Sequence, residues 1–103
     1  MPNSNYRKGA NFERRIKKYL ESLGYEVFRT AGSKSIVDLI AFHSDSPPGW
    51  VQCKCGTATM SKKEKKELCG RATSVGAVGV YAHTSKQNRI VFERIEIGGN
   101  KNE

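Results

Sequence analysis

Apolar residues recur at helical spacing near the N-terminus. Phe12, Ile16, Tyr19, Leu20 and Leu23 share one side of a helix expected from about Lys8 to Leu23. Gly24 stands where a helix C-cap belongs. Residues 1–7 are polar and predict a short flexible arm. Strands follow: Tyr25–Arg29, then Ile36–Phe42, apolar except for one residue, then Trp50–Cys55. The last two are expected to form a hairpin across His43–Gly49, a segment rich in breakers. Ser61 and Glu64 form a capping box that opens a second helix, Ser61–Ser74. Two more strands, Ala77–His83 and Arg89–Ile97, close a single domain over residues 8–97. The tail, 98–103, is expected to be disordered. The element order α-β-β-β-α-β-β predicts a mixed α/β fold.

The one polar residue in the second strand is Asp38. A strand this apolar is covered on both faces, and a lone ionised carboxylate buried there is costly. Asp38 therefore meets a cation, lies at an open edge of the core, or caps a neighbouring backbone. The third strand offers partners. In Val51-Gln52-Cys53-Lys54-Cys55 the side chains alternate, so Gln52 and Lys54 share one face while Cys53 and Cys55 point into the apolar layer. A turn centred near Asp45 or Ser46 sets residue 38 opposite 52 or 54, on that same face. Opposed Cβ atoms lie about 4.5–5.5 Å apart. Glu13, at about 100° per residue, falls on the flank of the first helix's apolar stripe. It either points along the sheet to join this set or stays solvated beside Lys17. Carboxylate, amide and backbone oxygens (the Cys53 carbonyl among them) suit Mg²⁺ or Mn²⁺ and phosphodiester hydrolysis. The Lys54 ammonium would stabilise charge on the phosphate or orient the water.

The charge balance supports a polyanionic substrate. Eighteen Lys and Arg against ten Asp and Glu give a formal +8 over 103 residues, which points to nucleic acid. Lys8, Arg14, Arg15, Lys17 and Lys18 form one basic strip. Lys62, Lys63, Lys65 and Lys66 form another, which is either a solvated helix face or a phosphate track. The link Gly56–Met60 is either a DNA-contacting loop or a connector. No apolar run approaches the roughly 20 residues that span a bilayer. MPNSNYRKG has no apolar stretch behind its charges, so no signal peptide is expected. Three cysteines then suggest reduced thiols in a cytosol. Their spacing does not suit zinc, and His43 and His83 suggest no nucleophile–base pair. The glycines at 76 and 79 follow a helix and precede a strand, the reverse of a phosphate-cradling loop, so no nucleotide cofactor is expected.

The pattern Asp38…Gln52-Cys53-Lys54 resembles the PD-(D/E)xK nuclease superfamily. Arg7-Lys8-Gly9-Ala10-Asn11-Phe12-Glu13-Arg14 is similar to the opening motif of the archaeal-type Holliday junction resolvases. Residues 25–34 followed by Val37-Asp38-Leu39-Ile40-Ala41 are similar to that family's central motif. The resemblance spans residues 7–55. It implies a restriction-endonuclease-like mixed five-stranded sheet flanked by helices. It implies Glu13, Asp38 and Gln52 around a divalent metal, with Lys54 as catalytic lysine. It also places Ser33, Arg14 and Arg29 at positions that support the site or contact the scissile backbone. Arg7, Lys8 and Lys34, with the lysines of the second helix, complete the expected DNA contacts. The family works as a symmetric homodimer that nicks opposing strands of a four-way DNA junction. One departure stands out: the family usually has Glu where this chain has Gln52. An amide offers one neutral oxygen, so metal affinity should fall and Glu13 gains importance. A non-catalytic nucleic-acid-binding module, or a nuclease of the same superfamily acting on flaps or duplex DNA, are the alternatives.

Overall fold

The structure is a computed structural model that describes residues 8–30 and 35–96 in full and the backbone of residues 4–7. Helix α1 spans Ser4–Ser22, so residues 4–7, expected in an arm, are its first turn. Strands β1 (Glu26–Arg29), β2 (Leu39–His43) and β3 (Ser46–Cys53) follow, then α2 (Lys62–Ser74), β4 (Val78–Thr84) and β5 (Ile90–Arg94). The order matches the sequence expectation. Ser33, Lys34 and the tail 98–103 lie outside the described residues.

The five strands form one sheet in the order β1-β2-β3-β4-β5. Every neighbouring pair is antiparallel except β3 and β4, which run parallel because α2 carries the chain back between them. The sheet separates two apolar clusters. On the α1 side Phe12, Ile16 and Leu20 pack on Val27, Leu39, Ala41, Val51 and Ala82. On the α2 side Leu68 packs with Val37, Met60, Tyr81 and Ile95. Alternation along each strand feeds both layers, so β2 reads as a nearly continuous apolar run.

Helix α1 ends as its sequence predicts. Gly24 adopts φ 97°, and the Tyr25 N–H donates back to the Leu20 carbonyl at 3.1 Å. Its stripe is narrower than expected, because Tyr19 and Leu23 are 45% and 52% exposed. Tyr19 instead stacks on Phe92.

The hairpin differs most from expectation. The turn is only Ser44 and Asp45, and Pro47, Pro48 and Gly49 belong to β3. Two features make this possible. A register shift between Ala41 and His43 disrupts the β2 ladder opposite the prolines. On the other side β4 begins pairing only at Gly49, so the missing proline N–H groups have no ladder to break. Beyond the shift the pairing is regular, with Leu39 opposite Val51, so residue 38 meets residue 52.

Candidate active site

One end of the sheet gathers the polar residues. There β1 ends at Arg29, β2 begins after Asp38, and β3 ends just before Lys54. Asp38 is fixed by its backbone: its N–H donates to the Val51 carbonyl at 2.8 Å, and its carbonyl accepts the Thr30 N–H at 3.0 Å. The Thr30 hydroxyl donates to the Val37 carbonyl, which pins the approach to β2. The Asp38 side chain turns to β3, where Oδ2 accepts the Cys53 N–H at 2.8 Å. Asp38 thus both caps a neighbouring backbone and sits at an edge of the core, two readings the sequence left open.

Burial pushes the Asp38 carboxyl up to about 6 from its ordinary 3.8, against the pull of the Cys53 N–H. The Glu13 carboxylate raises it further, while Lys54 and Arg29 act in the opposite direction. Glu13 reaches the same end of the sheet from α1, where it meets the last residue of β1. It is not paired with Lys17, which bonds Glu21 instead. Arg29 holds it, with Nε and Nη2 both on Glu13 Oε1 at 3.2 and 3.0 Å. Arg29, expected either to support the site or to contact the DNA backbone, is thus engaged with the Glu13 carboxylate.

Gln52 is only 9% exposed, and its buried Oε1 has no hydrogen-bond partner. A buried acceptor left unsatisfied is costly, and a cation or an ordered water would relieve it. Lys54 is pinned by its N–H on the Ala82 carbonyl at 2.9 Å. Its Nζ lies 3.4 Å from Glu64 Oε2 at the start of α2. Cys53 and Cys55 pack against the α1 cluster as expected, and burial drives the Cys53 thiol far above its usual range. Glu13, Asp38, Gln52, the Cys53 backbone and Lys54 thus come from three stretches, α1, the start of β2 and the end of β3, to one end of the sheet.

This donor set suits a hard divalent ion: two carboxylates, one amide oxygen without a partner and a backbone carbonyl. Among the described residues no group of three or more His, Cys, Asp or Glu side chains is placed to hold a metal.

The expected DNA contacts divide into classes. Lys62, Lys63 and Lys66 are exposed on α2, whereas Lys65 is half-buried with Nζ 5.4 Å from the Tyr81 ring centre. Arg14 is exposed and bonded to Asn11. Lys8 lines a cleft of about 330 Å³ with Asn11, Arg15, Asn88 and Cys55, the residue that follows Lys54. Two features escaped the sequence reading. Arg15 donates to the Asn88 carbonyl at 2.8 Å and ties α1 to the β4–β5 turn. Glu64 pairs with Lys54, though its sequence position signals only a helix cap. Both are long-range contacts that no local spacing announces.

The chain matches the family described as archaeal Holliday junction resolvase (Hjc) over residues 4–96. It is similar to the crossover junction endodeoxyribonuclease Hjc of Methanocaldococcus jannaschii, 61% identical over 36 residues. That stretch is 35% of this chain and spans 26% of the relative's length. It is also similar to the solved structure of Archaeoglobus fulgidus Hjc, a Holliday junction resolvase from an archaeal hyperthermophile. The two superpose with a TM-score of 0.72 at 23% identity, covering 85% of this chain and 73% of that one. This likeness shows the fold, a mixed five-stranded sheet with its helices in the expected order. With its motifs, its sheet and nearly all of its described length in agreement, the chain belongs to the archaeal Holliday junction resolvase (Hjc) family.

Proposed function

We propose that this protein is a divalent-metal-dependent endonuclease that nicks opposing strands of four-way DNA junctions. The observation that carries the reading is the meeting of Asp38 and Gln52 beside Lys54, with Glu13 arriving from α1.

Glu13, Asp38, Gln52 and the Cys53 carbonyl would hold Mg²⁺ or Mn²⁺. The ion supplies Lewis acidity toward the phosphate and a more acidic water. The chain's own residues do the rest. Asp38 is kept in place by the Cys53 N–H, and Glu13 by Arg29. The Lys54 ammonium donates to the non-bridging oxygens as negative charge builds there. By family motif alone, Ser33, Lys34 and Arg7 would act on the substrate. Exposed Lys62, Lys63 and Lys66, with Lys8 and Arg14, supply backbone attraction without reading bases.

Paired cuts on opposing strands need two sites at a fixed spacing, so the working form is a symmetric homodimer. A cytosolic, reducing setting accords with three free thiols. No described helix is long and apolar enough to cross a membrane.

Incubation with a labelled four-way junction and Mg²⁺ or Mn²⁺ tests the reading. Symmetric nicks that vanish in Asp38→Ala are expected. Tight, salt-sensitive binding with no product across several divalent metals overturns it in favour of a binding module, which the missing third carboxylate would explain. Faster cutting of flaps or plain duplex overturns the substrate.

A further inference from the structure

We propose that Glu64 is a positioning residue for Lys54: the first turn of α2 aims the ammonium that the active site uses. The inference rests on the reading of Lys54 as the catalytic lysine.

Lysine is a poor catalyst if left free, because four rotatable bonds spread its charge over a wide arc. Here both ends of the side chain are fixed. The backbone is held by the Lys54 N–H on the Ala82 carbonyl at 2.9 Å. The far end meets Glu64 Oε2 at 3.4 Å, and the two side chains are only 22% and 36% exposed. Glu64 is itself immobilised. Its Oε1 accepts the Ser61 N–H at 2.9 Å, and its own N–H donates to Ser61 Oγ at 3.1 Å. The Ser61 N–H is also the main reason the Glu64 carboxyl lies below its ordinary range, with Lys54 adding to it. The carboxylate is thus ionised and clamped, one oxygen for the helix and one for the lysine. An ammonium has three N–H groups, so one on Glu64 leaves two for a phosphate.

The division of labour between the two oxygens gives a clean variant. Glu64→Gln keeps an oxygen for the Ser61 N–H, since Gln also completes a capping box. It removes the charge that faces Lys54. The helix should therefore stay capped while the ammonium swings free.

Single-turnover cleavage of a four-way junction at saturating protein reads the effect. Glu64→Gln should slow cleavage roughly ten- to a hundredfold, the scale of a displaced reacting group, with melting temperature and junction Kd unchanged. Glu64→Asp should recover part of the rate. In a Lys54→Ala background Glu64→Gln should change nothing further, because the two act as one unit. In metal-free protein, ¹⁵N spectra should show a slowly exchanging Lys54 ammonium, assigned by its loss in Lys54→Ala and absent from Glu64→Gln. A wild-type or faster rate in Glu64→Gln overturns the inference, as does an equal loss in the Lys54→Ala background or an unchanged ammonium signal. If Lys54→Ala itself cuts normally, the reading of the site falls first and this inference with it.

Discussion

Asp38 Oδ2 accepts the Cys53 N–H at 2.8 Å, and that single bond is the main counterweight to the burial that raises the Asp38 pKa. The balance favours the proton, so the native protein holds it up to about pH 6 while the unfolded chain releases it near 3.8. Between those values the folded state binds more protons, and stability falls as pH rises. The contribution is fully present below about pH 4 and is lost by about pH 7, on the order of 2 kcal/mol. Asp38→Asn cannot ionise, yet its amide oxygen can still accept the Cys53 N–H. Urea melts in a chelating buffer should show metal-free wild type losing ground to Asp38→Asn from pH 4 to pH 7. At neutral pH the variant should melt higher, by on the order of 5 °C, and should not cut DNA. Parallel pH curves for the two proteins would mean that Asp38 is not destabilised by its setting.

Gln52 offers the converse test. Gln52→Glu would place a further carboxylate opposite Asp38, in a nearly closed setting. Without metal, like charges and lost hydration should cost about 1–3 kcal/mol at neutral pH. With metal the sign reverses, because a charged oxygen replaces a neutral one. The Mg²⁺ concentration giving half the maximal rise in melting temperature should drop several-fold below that of wild type. A lower metal-free melting temperature with no gain in the metal response would remove Gln52 from the ligand set.

Much of this site was readable from the chain, and the reasons are local. Strand alternation and a turn centred near Asp45 or Ser46 were enough to bring residue 38 opposite 52 or 54, although Pro47 and Pro48 made the turn look longer and β3 shorter than they are. Breakers predict turns only where a ladder needs their N–H groups, and at β3 no partner asks for them. Ser61 and Glu64 announced the start of α2 because a capping box acts over four residues. The second use of Glu64, on Lys54, was hidden because it depends on how α2 settles across the sheet. Glu13 shows the limit most clearly. Periodicity left it between Lys17 and the site, and the choice was made by Arg29, which lies sixteen residues away in sequence.

The lysines of α2 differ in what they do, and salt separates them. Lys62, Lys63 and Lys66 are exposed, so replacing all three with Ala should leave the melting temperature nearly unchanged. If each meets a phosphate, the slope of log Kd against log salt should fall by about 0.9 per lysine for junction binding. Lys65→Ala should behave differently. Its ammonium lies over the buried Tyr81 ring, so its loss should cost about 0.5–1 kcal/mol of stability. An unchanged slope in the triple variant would assign these charges to a solvated face.

Gly79 sets how closely α2 approaches the sheet. A Cβ there would lie 3.3 Å from Leu68 Cγ and 3.4 Å from Cys69 Cα, so the helix must shift by a few tenths of an ångström to admit it. Leu68 is fully buried, which leaves little room for the side chain alone to yield. Gly79→Ala should therefore cost about 1–3 kcal/mol through overpacking. Leu68→Ala should cost about 2–5 kcal/mol through the cavity it leaves. Because the two changes meet in the same space, the double variant should lose less than the sum, the new methyl group taking up part of the vacated volume. A strictly additive pair in urea denaturation would show that α2 does not rest on β4 through this contact.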